Sequence, residues 1–176
     1  MELKKSALAG PALERLIAAS GMSGEEIAEK LNISPQHGSN IKNSRRNMQA
    51  DIARESLNCF DNPAYSMDIL YEFSGGYTSP VLRGKNIEDH RLAFWVNAKQ
   101  EIAEGLEKLE VTSLAKPPSE MTALEMDGVI AMIDELIESK VHIDNFLMRV
   151  QVEYEVSIKD RLKSLKPRWK AKGWLQ

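Results

Sequence analysis

Apolar residues recur at intervals of three and four along most of the chain, the period of a helix with one buried face, and the fold class this predicts is all-α. Leu13, Leu16 and Ile17 share a face of a first helix that Gly10 and Pro11 open and Gly21 ends. Ile27, Ala28 and Leu31 give a second, shorter helix its apolar side, and Ile41 is the inward position of a third. Ile52, Ala53, Leu57 and Phe60 line a fourth over about residues 49–60, which closes a small four-helix globule. Asp61, Asn62 and Pro63 mark a turn. Ser66 then caps a short helix bearing Met67, Ile69, Leu70 and Phe73, stopped by Gly75 and Gly76 before the irregular segment YTSPVLRGKN.

Beyond it the period lengthens into two long helices. Ile87, Leu92, Trp95, Ile102, Leu106 and Leu109 form the stripe of one over residues 87–111, and Pro117-Pro118 closes that element. The other starts at Thr122 or Ala123 and runs to Tyr154, with Met126, Ile130, Ile133 and Ile137 at heptad-like steps. An antiparallel hairpin follows. Two helices have too few layers to bury both stripes with Phe94, Trp95 and Phe146, so a homodimer through the long helices is expected, the alternative being a hairpin folded back on the N-terminal part. The expected organisation is a helix-turn-helix domain at 1–62, a short helix and connection at 63–86, the dimerising hairpin at 87–156 and a basic segment at 157–176.

The stretch EEIAEKLNISPQHGSNIKN carries the chemistry. Asn32 stands where the chain must leave the second helix, a place that often needs positive φ, and Ile33 plugs the turn. Ser34 and Pro35 start the third helix, because the hydroxyl caps free N–H groups and proline at the first helical position forfeits no hydrogen bond. Along that helix Gln36, His37, Ser39, Asn40 and Asn43 present hydrogen-bonding groups, followed by Lys42, Arg45 and Arg46. Amides read base edges and cations hold phosphates, so these eight residues are the expected contacts to double-stranded DNA, with His37 as an exposed donor.

The spacing of Ala28, Leu31, Asn32, Ile33, Ser34 and Ile41 resembles the lambda-repressor/Cro (XRE-type) helix-turn-helix family over about residues 8–61. The resemblance implies a sequence-specific transcriptional regulator, repressor-like, of the kind phages and prophages encode, reading palindromic operators as a dimer. Two residues depart from the family pattern. Asn32 replaces a turn glycine, and Gly38 stands where an inward Ile or Val is usual. Either a neighbour such as Met22 or Met48 fills that space, or the recognition helix is loose and the chain is a protein-interaction module, an antirepressor or adaptor, with a degenerate helix-turn-helix.

Charge is unevenly spread along the 176 residues: residues 1–60 carry +1, residues 61–156 carry −10 and residues 157–176 carry +6. Any phosphate contact must therefore be local. The tail, with Arg161, Lys163, Lys166, Arg168, Lys170 and Lys172 among Trp169 and Trp174, reads either as a clamp for phosphates or an acidic partner, or as a last helix on Ile158, Leu162 and Leu165 docking on the acidic middle with Trp174 as anchor. The single cysteine, Cys59, reads as a small buried residue in a reducing cytoplasm. Pro11, Glu14 and Arg15 interrupt the Ala/Leu stretch after Lys4 and Lys5 too early for a secretory signal, and no apolar run reaches the ~20 residues of a membrane span. Gly75-Gly76 lacks the Lys and Ser/Thr of a phosphate loop, and His37, His90 and His142 are isolated, so no catalytic residue, metal site or cofactor is expected.

Overall fold

The computed structural model, which describes residues 3–176, is mostly helical, an all-α fold: α1 (Gly10–Ser20), α2 (Gly24–Lys30), α3 (Pro35–Lys42), α4 (Ala50–Cys59), α5 (Pro63–Ser74), α6 (Arg91–Val111), α7 (Ala123–Tyr154) and α8 (Ile158–Ala171). The only sheet among the described residues pairs β1 (Ser6–Ala7) with β2 (Met48–Gln49), antiparallel, Ser6 opposite Gln49 and Ala7 opposite Met48. No helix among these residues is long and apolar enough to cross a membrane. The chain divides into two compact units, one formed by residues up to Val81 together with Val156–Gln176, the other by Leu82–Glu155.

In the first unit, Leu13, Leu16, Ile27, Leu31, Ile41 and Met48 join Tyr65, Ile69 and Phe73 in one core cluster. Helix α5 is thus part of the globule, and the unit runs past residue 62. It also begins earlier than the Ser66 cap implies, because Asn62-Pro63 repeats the start chemistry of Ser34-Pro35: Asn62 Oδ1 accepts from the Tyr65 N–H at 2.9 Å. The β1 segment, unmarked by any period because it is two residues long, is held by Lys4 N–H to the Phe73 carbonyl (3.1 Å) and Ala50 N–H to the Lys5 carbonyl (3.0 Å). Helix α8 belongs to this unit too, with Lys159 Nζ donating to the Leu57 carbonyl at 2.9 Å. Trp174 is no anchor. It is 67% exposed, with Lys172 Nζ 4.4 Å over its ring. Cys59 is exposed rather than buried, since it ends α4; what burial it has, and then the Glu55 carboxylate, push its thiol up, away from a reactive thiolate.

The second unit is the antiparallel hairpin of α6 and α7. Helix α6 starts four residues later than its apolar period, because Ile87 N–H closes a turn on the Gly84 carbonyl and His90 Nδ1 caps at Leu92. Thr122 and Glu125 form a capping box for α7. The seam between the helices is made of small and polar residues as much as apolar ones: Phe94, Ala98 and Gly105 on α6, Met132 and Ser139 on α7. Ser139 Oγ donates to the Glu101 carbonyl at 2.6 Å, and a Cβ on Gly105 would stand 2.6 Å from that Oγ. The expected stripe of α6 lies outside this seam, with Leu92, Trp95, Ile102, Leu106 and Leu109 all 40–55% exposed. Close approach is made at Ala98, Gly105 and Ser139, while most of the large residues of the stripe stay outside.

Glu101 sits beside this seam with its side chain 17% exposed, His142 Nε2 3.9 Å from its Oε1. Burial pushes Glu101 up from the ordinary carboxylate value, His142 works against this, and Glu104, Glu138 and Glu135 add to it. A folded-state pKa raised above the unfolded value gives stability that is complete below the ordinary value of about 4.3 and is lost as pH rises through the folded one. Glu101→Gln is therefore expected to stabilise the hairpin at pH 7, with the gain fading towards pH 4. Thermal unfolding followed by helix dichroism across pH checks this; a gain equal at every pH defeats it.

Candidate nucleic-acid interface

Helices α2 and α3 are set by a chain of local bonds. Ser23 Oγ accepts from Glu26 N–H while the Glu26 carboxylate accepts from Ser23 N–H at 2.7 Å, which fixes the start of α2 and holds the Glu26 carboxyl below its usual value. Helix α2 ends in a Schellman motif: Asn32 N–H bonds the Glu29 carbonyl (3.0 Å), Ile33 N–H the Ala28 carbonyl (3.0 Å), and Asn32 takes φ 53°. Two residues later Ser34 Oγ accepts from His37 N–H at 3.2 Å and Pro35 begins α3. The turn is tight and its entry and exit are both capped.

Helix α3 ends in the same way, with Ser44 at φ 57° bonding the Ile41 carbonyl and Arg45 N–H the Asn40 carbonyl at 2.8 Å. Arg46 N–H reaches that same carbonyl at 3.1 Å, so both arginines are pinned by their backbone just past the helix while their side chains stay exposed. Gln36, Ser39 and Asn43 are exposed on one stripe at i, i+3 and i+7, and Asn40 and Lys42 are half-buried beside it. Asn43 Nδ2 donates to the Ser39 carbonyl (2.9 Å) and to Ser39 Oγ (3.2 Å), leaving the Asn43 amide oxygen and the Ser39 hydroxyl proton outward.

His37 departs from the expectation of an exposed donor. It is half-buried, its Nε2 is out of contact with solvent and has no hydrogen-bond partner, because it lies one turn before Ile41 and shares that inward face. Seven of the eight residues thus keep an outward or marginal position, and His37 does not. At Gly38 neither Met22 nor Met48 fills the space. A Cβ there would stand 3.2 Å from Ala28 Cβ and 3.9 Å from Ile33 Cδ1, so the two helices approach directly through Ala28 and Gly38. Beside this crossing an open groove of about 460 Å3 has Ile17, Ile33, Gln36, Ser39 and Lys42 among its walls.

The two units carry charge of opposite sign. The unit containing α3 and α8 holds 15 Lys and Arg against 11 Asp and Glu, and the hairpin unit 8 against 15. Joining the cationic last helix to the first 81 residues turns a nearly neutral segment into a +4 unit. Only the long-range position of α8 reveals this; the local sequence allowed it to pack elsewhere. Comparison with family models, with curated proteins and with solved structures returns no match for this chain.

Proposed function

We propose that the chain is a sequence-specific, DNA-binding transcriptional regulator of repressor type, similar to the XRE regulators that phages and prophages encode, acting in the cytoplasm as a homodimer on palindromic operators. The observation that carries this is α3 itself: a helix capped at both ends, with Gln36, Ser39 and Asn43 exposed along it and Arg45 and Arg46 pinned past its end, on the cationic unit. In this reading α3 enters the major groove, Gln36 and Asn40 read base edges, and Lys42, Arg45 and Arg46 hold phosphates. Two copies address half-sites about 34 Å apart. We assign the chain no catalytic, metal or cofactor role.

Selection of random duplex DNA by the purified chain at two salt concentrations tests it, with enrichment of a palindrome as the expected result. Arg45→Ala with Arg46→Ala is expected to weaken binding to every sequence alike and to flatten the slope of log affinity against log salt by about 1.8, at about 0.9 per phosphate contact. Gln36→Ala is expected to relax preference at one base pair, a loss of about 1–3 kcal/mol of discrimination. An unchanged salt slope in the double variant removes both arginines from the interface.

The groove beside Gly38 favours a second reading, a protein-interaction module of antirepressor or adaptor type, since α1, α2 and α3 all give it apolar walls. Docking there is insensitive to salt, whereas phosphate binding weakens steeply with it. Absence of DNA enrichment at both salt concentrations selects this reading.

A further inference from the structure

The hairpin has two unlike sides. Trp95 of α6 and Phe146, Val150 and Tyr154 of α7 line one open groove of about 390 Å3, so the apolar positions of both helices emerge on the same flank. Along that flank of α6, Ile102, Leu106 and Leu109 continue from Trp95 at helical spacing, 40–55% exposed, and α7 adds Ile133 and Leu147, 45% and 39% exposed. On the opposite flank the carboxylates of Glu101, Glu135 and Glu138 lie within 4.8 Å of one another.

The size of the apolar flank limits what it is for. Residues 92–109 at ~1.5 Å each and two helices of ~10 Å width make a face of about 500 Å2 in projection. That lies in the upper part of the ~300–600 Å2 of the largest apolar patch on a typical monomer, a size at which such patches are often functional. Two such faces together cover about 1,000 Å2, the size that a specific interface has to clear. Charge then selects the occupant. The hairpin unit carries 8 Lys and Arg against 15 Asp and Glu, so a basic partner is drawn to the acidic flank, whereas the charges beside the apolar groove are Lys99 next to Trp95 and Arg91, which Glu153 pairs. A surface that is apolar, elongated and repeated on every copy of the chain fits itself.

We propose that a second copy of the chain covers this face: two hairpins pack apolar flank to apolar flank as a four-helix bundle about a two-fold axis, and their acidic flanks point away from each other. The dimer rests on the homodimeric part of the function proposed above and is independent of DNA recognition. It assigns the large residues that the α6–α7 seam excludes to the interface between copies.

Sedimentation equilibrium of the full chain without DNA tests it. The wild type is expected to be a dimer, and Leu106→Glu with Ile133→Glu, both half-exposed and outside the seam, is expected to raise its dissociation constant by about 100-fold or more with helical dichroism unchanged. Glu107→Lys, an exposed residue of α6 away from the flank, is expected to leave the mass unchanged. If the double charge variant loses helicity, the neutral Leu106→Gln takes its place, with a smaller rise in the dissociation constant expected. A wild type that stays monomeric at about 100 μM overturns the proposal, as does a folded variant that dimerises as tightly as the wild type. A dimer that responds to these variants but enriches no DNA upholds the interface and defeats the regulator.

Discussion

Replacing Gly10 by alanine is expected to destabilise the N-terminal unit by about 3 kcal/mol and to abolish any binding that depends on α3. A single methyl group does this because of where α1 begins. A Cβ at Gly10 would lie 2.7 Å from the Lys42 carbonyl oxygen and 2.8 Å from that of Ile41, and it would also overlap Ser44 Oγ. The hydroxyl can rotate away, but the two carbonyls belong to the last turn of α3 and move only with the helix. Overpacking against backbone costs ~1–3 kcal/mol, more where nothing can yield, and the strain falls on the turn that holds Lys42, Arg45 and Arg46. For a unit of about this size such a loss lowers the midpoint by on the order of 10 °C. Gly24→Ala is the control, since the nearest atom to its added Cβ is Ile17 Cδ1 at 3.8 Å, an ordinary contact. Thermal unfolding of the two variants side by side decides the matter: a Gly10→Ala midpoint equal to that of Gly24→Ala means α1 and α3 are not in the contact described.

What could be read along the chain and what could not divides by the range of the interaction. The Ser34-Pro35 start, the turn at Asn32, the stop at Gly75 and the Thr122 start of α7 are each determined by groups within a few residues, and each stands where its local chemistry puts it. The exposed stripe of Gln36, Ser39 and Asn43 was legible for the same reason, helical period alone. Gly10 was legible only as a helix start, because its close neighbours, residues 41, 42 and 44, are more than thirty positions away. The α6–α7 seam was not legible in the apolar period, because close helix approach is governed by size, and Ala98, Gly105 and Ser139 carry it. His37 failed on a subtler count: polarity suggested the outside, but its i, i+4 relation to Ile41 puts it on the inner face.

Ala28→Leu is the second change expected to have a large effect, and it bears on whether Gly38 is a defect or a fit. In a family pattern an inward aliphatic at position 38 spaces the second and third helices; here the glycine lets them close until Ala28 Cβ is 3.2 Å from where a Cβ of residue 38 would stand. Ala28 is 1% exposed, so a leucine there has to wedge α2 from α3. The expected loss is again about 3 kcal/mol, at the upper end for overpacking, together with a shift of α3 relative to its capping turn. Gly38→Ala is a much finer balance, because the helix propensity of alanine returns ~1 kcal/mol while Ala28 must give by a few tenths of an ångström. Combining Gly38→Ala with Ala28→Gly moves the methyl group from one helix to the other and should restore both stability and whatever binding α3 supports. Additive losses in that double variant would show that the two residues do not touch, and would return Gly38 to the status of an unfilled gap in a loosened helix. Mutual rescue would show that the glycine and the alanine act as a pair that holds α3 at one depth against α2.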